Sequence, residues 1–205
     1  MIIRQLQTGI LGVNTYLAIN REKRQAFVVD PGGDGDYILR TAKEAGAEIV
    51  AILLTHAHLD HIGGVCEILQ TKKVPVCIGE TDGAAINTPV NLAKTMFGVE
   101  ILPVPVDKFL KDGEIFEVAG ISVQTLSTPG HTAGSCCYLA ENTLFSGDTL
   151  FCGSMGRTDF PTGDAAEIMR SLKRLSELPD GTTVLPGHGE KTTIGYEKKH
   201  NPFMK

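Results

Sequence analysis

Short apolar runs with a period of two open the chain and are followed by stretches with a helical period, so strands and helices are expected to alternate along it. Ile2 to Leu6, Thr15 to Ile19 and Ala26 to Asp30 are β-branched or aromatic runs, separated by Gly12-Val13-Asn14 and by Arg21-Glu22-Lys23-Arg24, and they predict an antiparallel meander. A helix is expected from Asp36 to Ala45. Ile49 to Thr55 is almost unbroken in apolar residues, as for a strand covered on both faces, and it ends at His56. A helix over Ile62 to Gln70 and a strand over Val74 to Ile78 come next, then a segment of helical character from Glu80 to Met96 interrupted by Gly83 and Pro89. Phe109-Leu110 and Ile115 to Val118 flank Lys111-Asp112-Gly113-Glu114 as an expected hairpin. Ile121 to Leu126 alternates, and Cys136 to Leu139 is expected to pair with Thr143 to Ser146 through Glu141-Asn142. Asp164 to Leu178 is the clearest amphipathic helix, with Ile168, Leu172 and Leu175 on one stripe and Asp164 as its cap; Thr183 to Leu185 is the last strand.

This order divides into two similar halves, each a sheet with helices on one side. Two sheets packed face to face between helices satisfy it, an α/β architecture. No low-complexity stretch or long linker interrupts the pattern, so residues 1–205 are expected to form one domain. Val28-Val29-Asp30-Pro31-Gly32 and Phe145-Ser146-Gly147-Asp148 end strands in a related way, a faint sign of duplication.

The chain has 205 residues, 42% of them hydrophobic, enough for a substantial core. A net charge of -5 without any local Lys/Arg run argues against nucleic acid or an anionic membrane as partner and points to a small-molecule substrate. Met1 to Ile10 mixes Arg4, Gln5 and Gln7 with its apolar residues, which is neither a signal peptide nor a membrane span. Cys66, Cys77, Cys136, Cys137 and Cys152 lack the spacing of a disulfide framework, and the expected location is the cytoplasm. Most of these cysteines read as small buried hydrophobes; Cys152, just downstream of Asp148, is the one placed to lie near a site. The pattern marks no oligomer interface.

Thr55-His56-Ala57-His58-Leu59-Asp60-His61 puts four metal-capable side chains within six residues at the end of a buried strand. Residues i and i+2 share a side of extended backbone, so His56 and His58 can grip one cation while the turn that follows aims Asp60 and His61 at a second. Three later loops each offer one donor on a glycine-containing turn after a strand: His131 in Thr128-Pro129-Gly130-His131, Asp148 in Ser146-Gly147-Asp148, and His188 in Pro186-Gly187-His188-Gly189. The bland alternative makes these surface imidazoles and Asp60 a helix cap. It requires five of the six histidines to follow strand ends by accident. His200, in Glu197-Lys198-Lys199-His200-Asn201, lies outside every motif and reads as solvated, with Tyr196 and Phe203 expected to anchor the tail.

Taken together, THAHLDH, Gly130-His131, Gly147-Asp148 and Gly187-His188 resemble the ligand series of the metallo-β-lactamase superfamily over the whole chain. The resemblance implies a four-layer αββα sandwich of two mixed sheets flanked by helices. It implies one metal held by His56, His58 and His131, a second by Asp60, His61 and His188, and Asp148 bridging them, with Asp60 and Asp148 the carboxylates of the reacting centre. Asp30, which alone would read as a turn residue, corresponds to an acidic residue supporting the ligands from behind. Two divalent cations are implied, zinc foremost, with iron or manganese also suited to such donors.

Gly147-Asp148-Thr149-Leu150-Phe151 and Gly156-Arg157-Thr158-Asp159-Phe160 are most similar to the hydroxyacylglutathione hydrolase (glyoxalase II) branch. Only Glu190 to Lys205 follows the last motif, so the expected relatives are short ones lacking the C-terminal glutathione-binding domain. Arg157, Asp159 and Glu190 stand where that branch carries a lysine and two tyrosines, and Arg157 and Asp159 are expected to wall the substrate pocket or else to form a surface ion pair. The implied activity is hydrolysis of thioesters such as S-2-hydroxyacylglutathione by a hydroxide bridging two metals. A mononuclear iron persulfide dioxygenase using His56, His131 and Asp148, a lactonase, and a non-catalytic metal-binding protein are the alternatives.

Overall fold

The computed structural model describes residues 1–88 and 102–205. β1 (Ile2–Thr8), β2 (Val13–Asn20) and β3 (Gln25–Val29) form the expected antiparallel meander. α1 (Gly35–Glu44), β4 (Glu48–Leu54), α2 (Leu59–Ile62), α3 (Val65–Thr71), β5 (Val76–Gly79), α4 (Glu80–Ala85) and β6 (Lys108–Leu110) follow. β4, β5 and β6 join in parallel, which completes a mixed six-stranded sheet in sequence order. β7 (Ile115–Val118), β8 (Ile121–Ser127), β9 (Cys136–Ala140) and β10 (Thr143–Gly147) run antiparallel. After the short pair β11 (Leu150–Phe151) and β12 (Ser154–Met155), α5 (Ala165–Leu175) leads to β13 (Thr183–Pro186), which lies parallel to β10. β14 (Thr192–Thr193) and α6 (Ile194–His200) end the fold, and the second sheet has the order β14-β13-β10-β9-β8-β7.

Alternation along the central strands sets the layers. On β2 and β4, Tyr16, Ala18, Ala51 and Leu53 enter a buried cluster with Val123, Tyr138 and Phe145 of the second sheet. Their neighbours Leu17, Ile19, Ile52 and Leu54 face the other way, against Ile38 and Ala42 of α1 and Val65 and Ile68 of α3. Leu126, Cys137, Leu144 and Val184 of the second sheet pack on Leu172 and Leu175 of α5 and Ile194 of α6. The result is helix, sheet, sheet, helix, and it explains why β2 and β4 are apolar on both faces. Phe145 is fully buried with its ring 5.6 Å from Tyr16 and 6.0 Å from Phe27. Truncating such a side chain to alanine costs about 3–5 kcal/mol.

Three expectations change. Phe109-Leu110 and Ile115 to Val118 are not a hairpin: β6 pairs with β5 in the first sheet and β7 with β8 in the second, so residues 111–114 cross between sheet edges. The crossing is fastened to β8, since Gly113 donates to the Thr125 carbonyl, Thr125 to Glu114, and Ser127 N–H to Asp112. The helix expected over Ile62 to Gln70 begins earlier and is broken at Gly63-Gly64, where the backbone of residues 31–32 passes so close that a Cβ on Gly63 would lie 2.5 Å from the Gly32 carbonyl oxygen. Tyr196 does not anchor the tail; it is 49% exposed, while Ile194, Glu197 and Asn201 are fully buried and Phe203 is partly so. The helical segment expected to reach Met96 lies, from Pro89 onward, outside the described residues. Among the described residues no helix is long and apolar enough to cross a membrane.

Candidate metal centre

The seven expected donors come from the segments that follow the C-terminal ends of four strands, Asp60 and His61 on the short helix α2, and two sheets contribute to one cluster. His56, His58, Asp60 and His61 follow β4, His131 follows β8, Asp148 follows β10 and His188 follows β13. Their ligand atoms fall into three overlapping groups, each within 4.8 Å: His56, His58 and His131; His56, His61 and Asp148; Asp60, His61 and His188. Asp148 reaches both ends, with Oδ1 3.4 Å from His61 Nε2 and Oδ2 3.5 Å from His131 Nε2. Cys66 and Cys152 take no part, although Cys152 is exposed next to Phe151, whose ring lies 6.3 Å from that of His188.

Proton positions can be followed outward from the cluster. Asp30 is buried and takes the Thr55 N–H at 2.7 Å on one oxygen and the Thr55 hydroxyl at 2.7 Å and His61 Nδ1 at 2.9 Å on the other. With its proton given to Asp30, the Thr55 hydroxyl is free to accept from His56 Nδ1 at 3.0 Å. His131 Nδ1 donates to the Arg157 carbonyl at 2.7 Å. Three acceptors thus fix the tautomers that turn the Nε2 lone pairs of His56, His61 and His131 inward. His58 presents Nδ1, 2.9 Å from His131 Nε2.

Buried polar atoms are normally paired, and here they are not: His56 Nε2, His61 Nε2 and Asp148 Oδ1 lack any hydrogen-bond partner. Inward-facing imidazole nitrogens and carboxylate oxygens left without protein partners fit divalent cations, for which this is the usual donor chemistry. For His56 and His58 the electrostatics agree. Burial and the neighbouring imidazoles push His56 well below its ordinary pKa, and burial brings His58 down to about 3, so both are neutral and ligand-competent. Burial also disfavours charge on His61, but Asp148, Asp60 and Asp30 outweigh it and raise its pKa; the hydrogen bond to Asp60 raises His188. Asp60 and Asp148 are held below the usual carboxylate range by these imidazoles against the opposing effect of burial.

Arg157 and Asp159 lie at the rim and engage each other, with two 2.6 Å bonds between exposed side chains. The Arg157 guanidinium stacks 3.9 Å over Phe160, whose ring meets His58 edge-on at 5.7 Å. His200 is exposed and stacks on Tyr196, away from the cluster.

Sequence reasoning missed the residues that hold the loops. The Asn14 amide donates to the Pro186 and Gly189 carbonyls at 3.0 and 2.9 Å, and the Tyr16 hydroxyl donates to Pro186 at 2.8 Å, bracketing the turn that carries His188. Asp82, buried at the start of α4, bonds to the loops of His56–His58 and His131. Burial raises the pKa of Asp82. The Thr81-Asp82-Gly83 sequence reads as an ordinary turn or helix start, and no spacing ties it to the histidines.

Comparison with known proteins bears on the same residues. Residues 8–188 match the family described as the metallo-beta-lactamase superfamily. The chain is 35% identical to a probable metallo-hydrolase, YqgX, of Bacillus subtilis, covering 98% of this chain and 96% of that one. It is 32% identical to the hydroxyacylglutathione hydrolase GloC of Haemophilus influenzae, covering 89% of each. Among solved structures, the BLEG-1 B3 metallo-beta-lactamase superposes with a TM-score of 0.94 at 36% identity over the full length of both chains. TTHA1623 in a di-iron-bound form gives 0.86 at 37% identity, covering 98% of this chain and 99% of that one. ETHE1 of Myxococcus xanthus gives 0.82 at 32% identity, covering 98% and 84%.

Proposed function

Because this chain belongs to the metallo-β-lactamase superfamily, we propose that it is a hydrolase whose cluster holds two divalent cations and whose substrates are thioesters such as S-2-hydroxyacylglutathione. The observation that carries this reading is the position of Asp148, one carboxylate with an oxygen toward each histidine group. His56, His58 and His131 would hold one cation and Asp60, His61 and His188 the other. When bound, two such cations polarise an acyl oxygen and lower the pKa of a water from about 15.7 towards about 7, which makes a protein nucleophile unnecessary.

The chain's own residues supply alignment. Asp30, Thr55 and the Arg157 carbonyl keep three imidazoles in the metal-binding tautomer. A thiolate leaves with little need of a proton, so thioester cleavage does not require a general acid from the protein. GloC, a hydroxyacylglutathione hydrolase, supports that chemistry. Zinc is the cation we favour; the di-iron form of TTHA1623 supports iron at the same kind of centre.

Recognition of the thiol portion is expected to be loose. The Arg157 and Asp159 charges satisfy each other at the rim rather than facing the cluster as a free pair. We expect kcat/KM for one acyl group to differ modestly between glutathione, coenzyme A and N-acetylcysteamine carriers. A glutathione preference above about a thousandfold, roughly 4 kcal/mol, would instead establish a dedicated glutathione site. The cation number and the reaction class are tested together by metal content and oxygen uptake. Two cations with no oxygen consumed on a persulfide is the expected result, and one iron with consumption identifies a dioxygenase.

A further inference from the structure

Asp82 lies outside all three donor groups, yet it bonds to both histidine-bearing loops of the first half of the cluster. It is 5% exposed, and both of its carboxylate oxygens are occupied. Oδ2 accepts the Ala57 N–H at 2.9 Å, on the peptide between His56 and His58. The same oxygen accepts the Thr132 hydroxyl at 2.8 Å, one residue past His131. Oδ1 accepts the Gly134 N–H at 2.8 Å. The Thr132 hydroxyl, its proton given to Asp82, accepts in turn from Ser135 at 2.6 Å, and Ser135 Oγ accepts the Thr132 N–H at 3.1 Å, which closes the His131 loop on itself. The approach is tight enough to dictate residue type: a Cβ on Gly134 would come within 2.4 Å of Asp82 Oδ1.

We propose that Asp82 is the positioning residue for the His56, His58 and His131 half of the centre, a buried carboxylate that sets the distance between the two histidine-bearing loops. The second half is aimed by different groups, Asp30 behind His61 and the Asn14 and Tyr16 bracket around the His188 turn. Asp30 serves both halves, through Thr55 to His56 and directly to His61, whereas Asp82 reaches only the loops of the first, so a fault at Asp82 is local to that half. A neutral amide cannot replace this carboxylate. Whichever way the amide introduced by Asp82→Asn is turned, its NH2 faces a backbone N–H, that of Gly134 or that of Ala57, so at least one of the three hydrogen bonds is lost.

This inference rests on the two-cation reading, and the experiment separates the two. Zinc affinity is measured by chelator competition on the full chain in two backgrounds: His188→Ala, which leaves the first half, and His58→Ala, which leaves the second. Asp82→Asn is expected to weaken zinc about 10–100-fold in the His188→Ala background and by less than about threefold in the His58→Ala background. Equal weakening in both would mean a fold-wide structural role, and no weakening in the first would remove the proposed role; either result overturns the inference. A wild-type chain that binds no zinc, iron or manganese would instead overturn the two-cation reading. Where Asp82→Asn does not fold, Thr132→Val removes one of the three donors at nearly constant volume. It is expected to give a smaller loss confined to the same half, and an unchanged first-half affinity would count against the proposal.

Discussion

At Asp148 a single, partly buried carboxylate stands between imidazoles supplied by both sheets, His61 3.4 Å from one oxygen and His131 3.5 Å from the other. Asn at this position keeps the shape, but it loses the charge and replaces one acceptor by a donor. Asp148→Asn is expected to retain the fold by circular dichroism while kcat/KM on a thioester falls at least about a hundredfold, ~2.7 kcal/mol of transition-state stabilisation. Wild-type turnover with full metal content would exclude the bridging role. Gly187 guards the same carboxylate from the other side, since a Cβ there would sit 2.3 Å from Asp148 Oδ1 and 2.6 Å from His61 Cε1. Gly187→Ala should therefore lower metal stoichiometry with little change in secondary structure, a split that elemental analysis beside circular dichroism would reveal. These donors were legible in the sequence because histidine and aspartate on short loops after strands form a pattern in one dimension. Asp82 and Asn14 were not, because a residue that acts through hydrogen bonds to distant backbone has partners that only the folded chain brings near.

Among the elements, those with a strong intrinsic period were read well: the meander, the buried β4 strand and α5 with its cap, where Asp164 accepts from the N–H groups of Ala166 and Glu167. Pairing partners were harder to read. Two β-like runs separated by Lys111-Asp112-Gly113-Glu114 carry the same local pattern whether they pair with each other or bridge two sheets, and long-range packing decides between these. The last helix shows a different limit. α6 is held by Glu197, a fully buried carboxylate that accepts from the Gly153 N–H at 2.8 Å, the Thr192 hydroxyl at 2.6 Å and the Asn201 amide at 2.8 Å, inside a sequence so charged that it reads as solvated. Glu197→Ala would strand these donors and is expected to cost about 3 kcal/mol, lowering Tm by roughly 6–12 °C. His200→Ala, on the exposed side of the same helix, should leave Tm and metal content nearly unchanged; equal shifts for the two would show that the helix is held by something other than Glu197.

For the molecule as a whole, the proposed cations would act as cross-links between layers. Four donors follow β4 of the first sheet, and the other three follow β8, β10 and β13 of the second. Around the cluster the sheets also meet through direct polar ties, among them Cys136 N–H to the Thr55 carbonyl at 2.9 Å and the Tyr138 hydroxyl to Leu54 at 2.6 Å. Without cations, His56 Nε2, His61 Nε2 and Asp148 Oδ1 are buried without a hydrogen-bond partner, which disfavours the folded state. A ligand that binds only the folded chain stabilises it by RT ln(1 + [L]/Kd), about 2.7 kcal/mol at a hundred times Kd. For a chain of this size that corresponds to roughly 5–11 °C in Tm. Stripping the protein with a strong chelator should therefore lower Tm by about that interval, and adding back zinc should restore it in proportion to the logarithm of free metal. The Asp148→Asn chain, with its bridge weakened, should recover less of the interval at the same free zinc. A Tm that ignores both chelator and zinc would mean that the cluster is already satisfied without cations, and that the orphaned atoms between the sheets have some other partner.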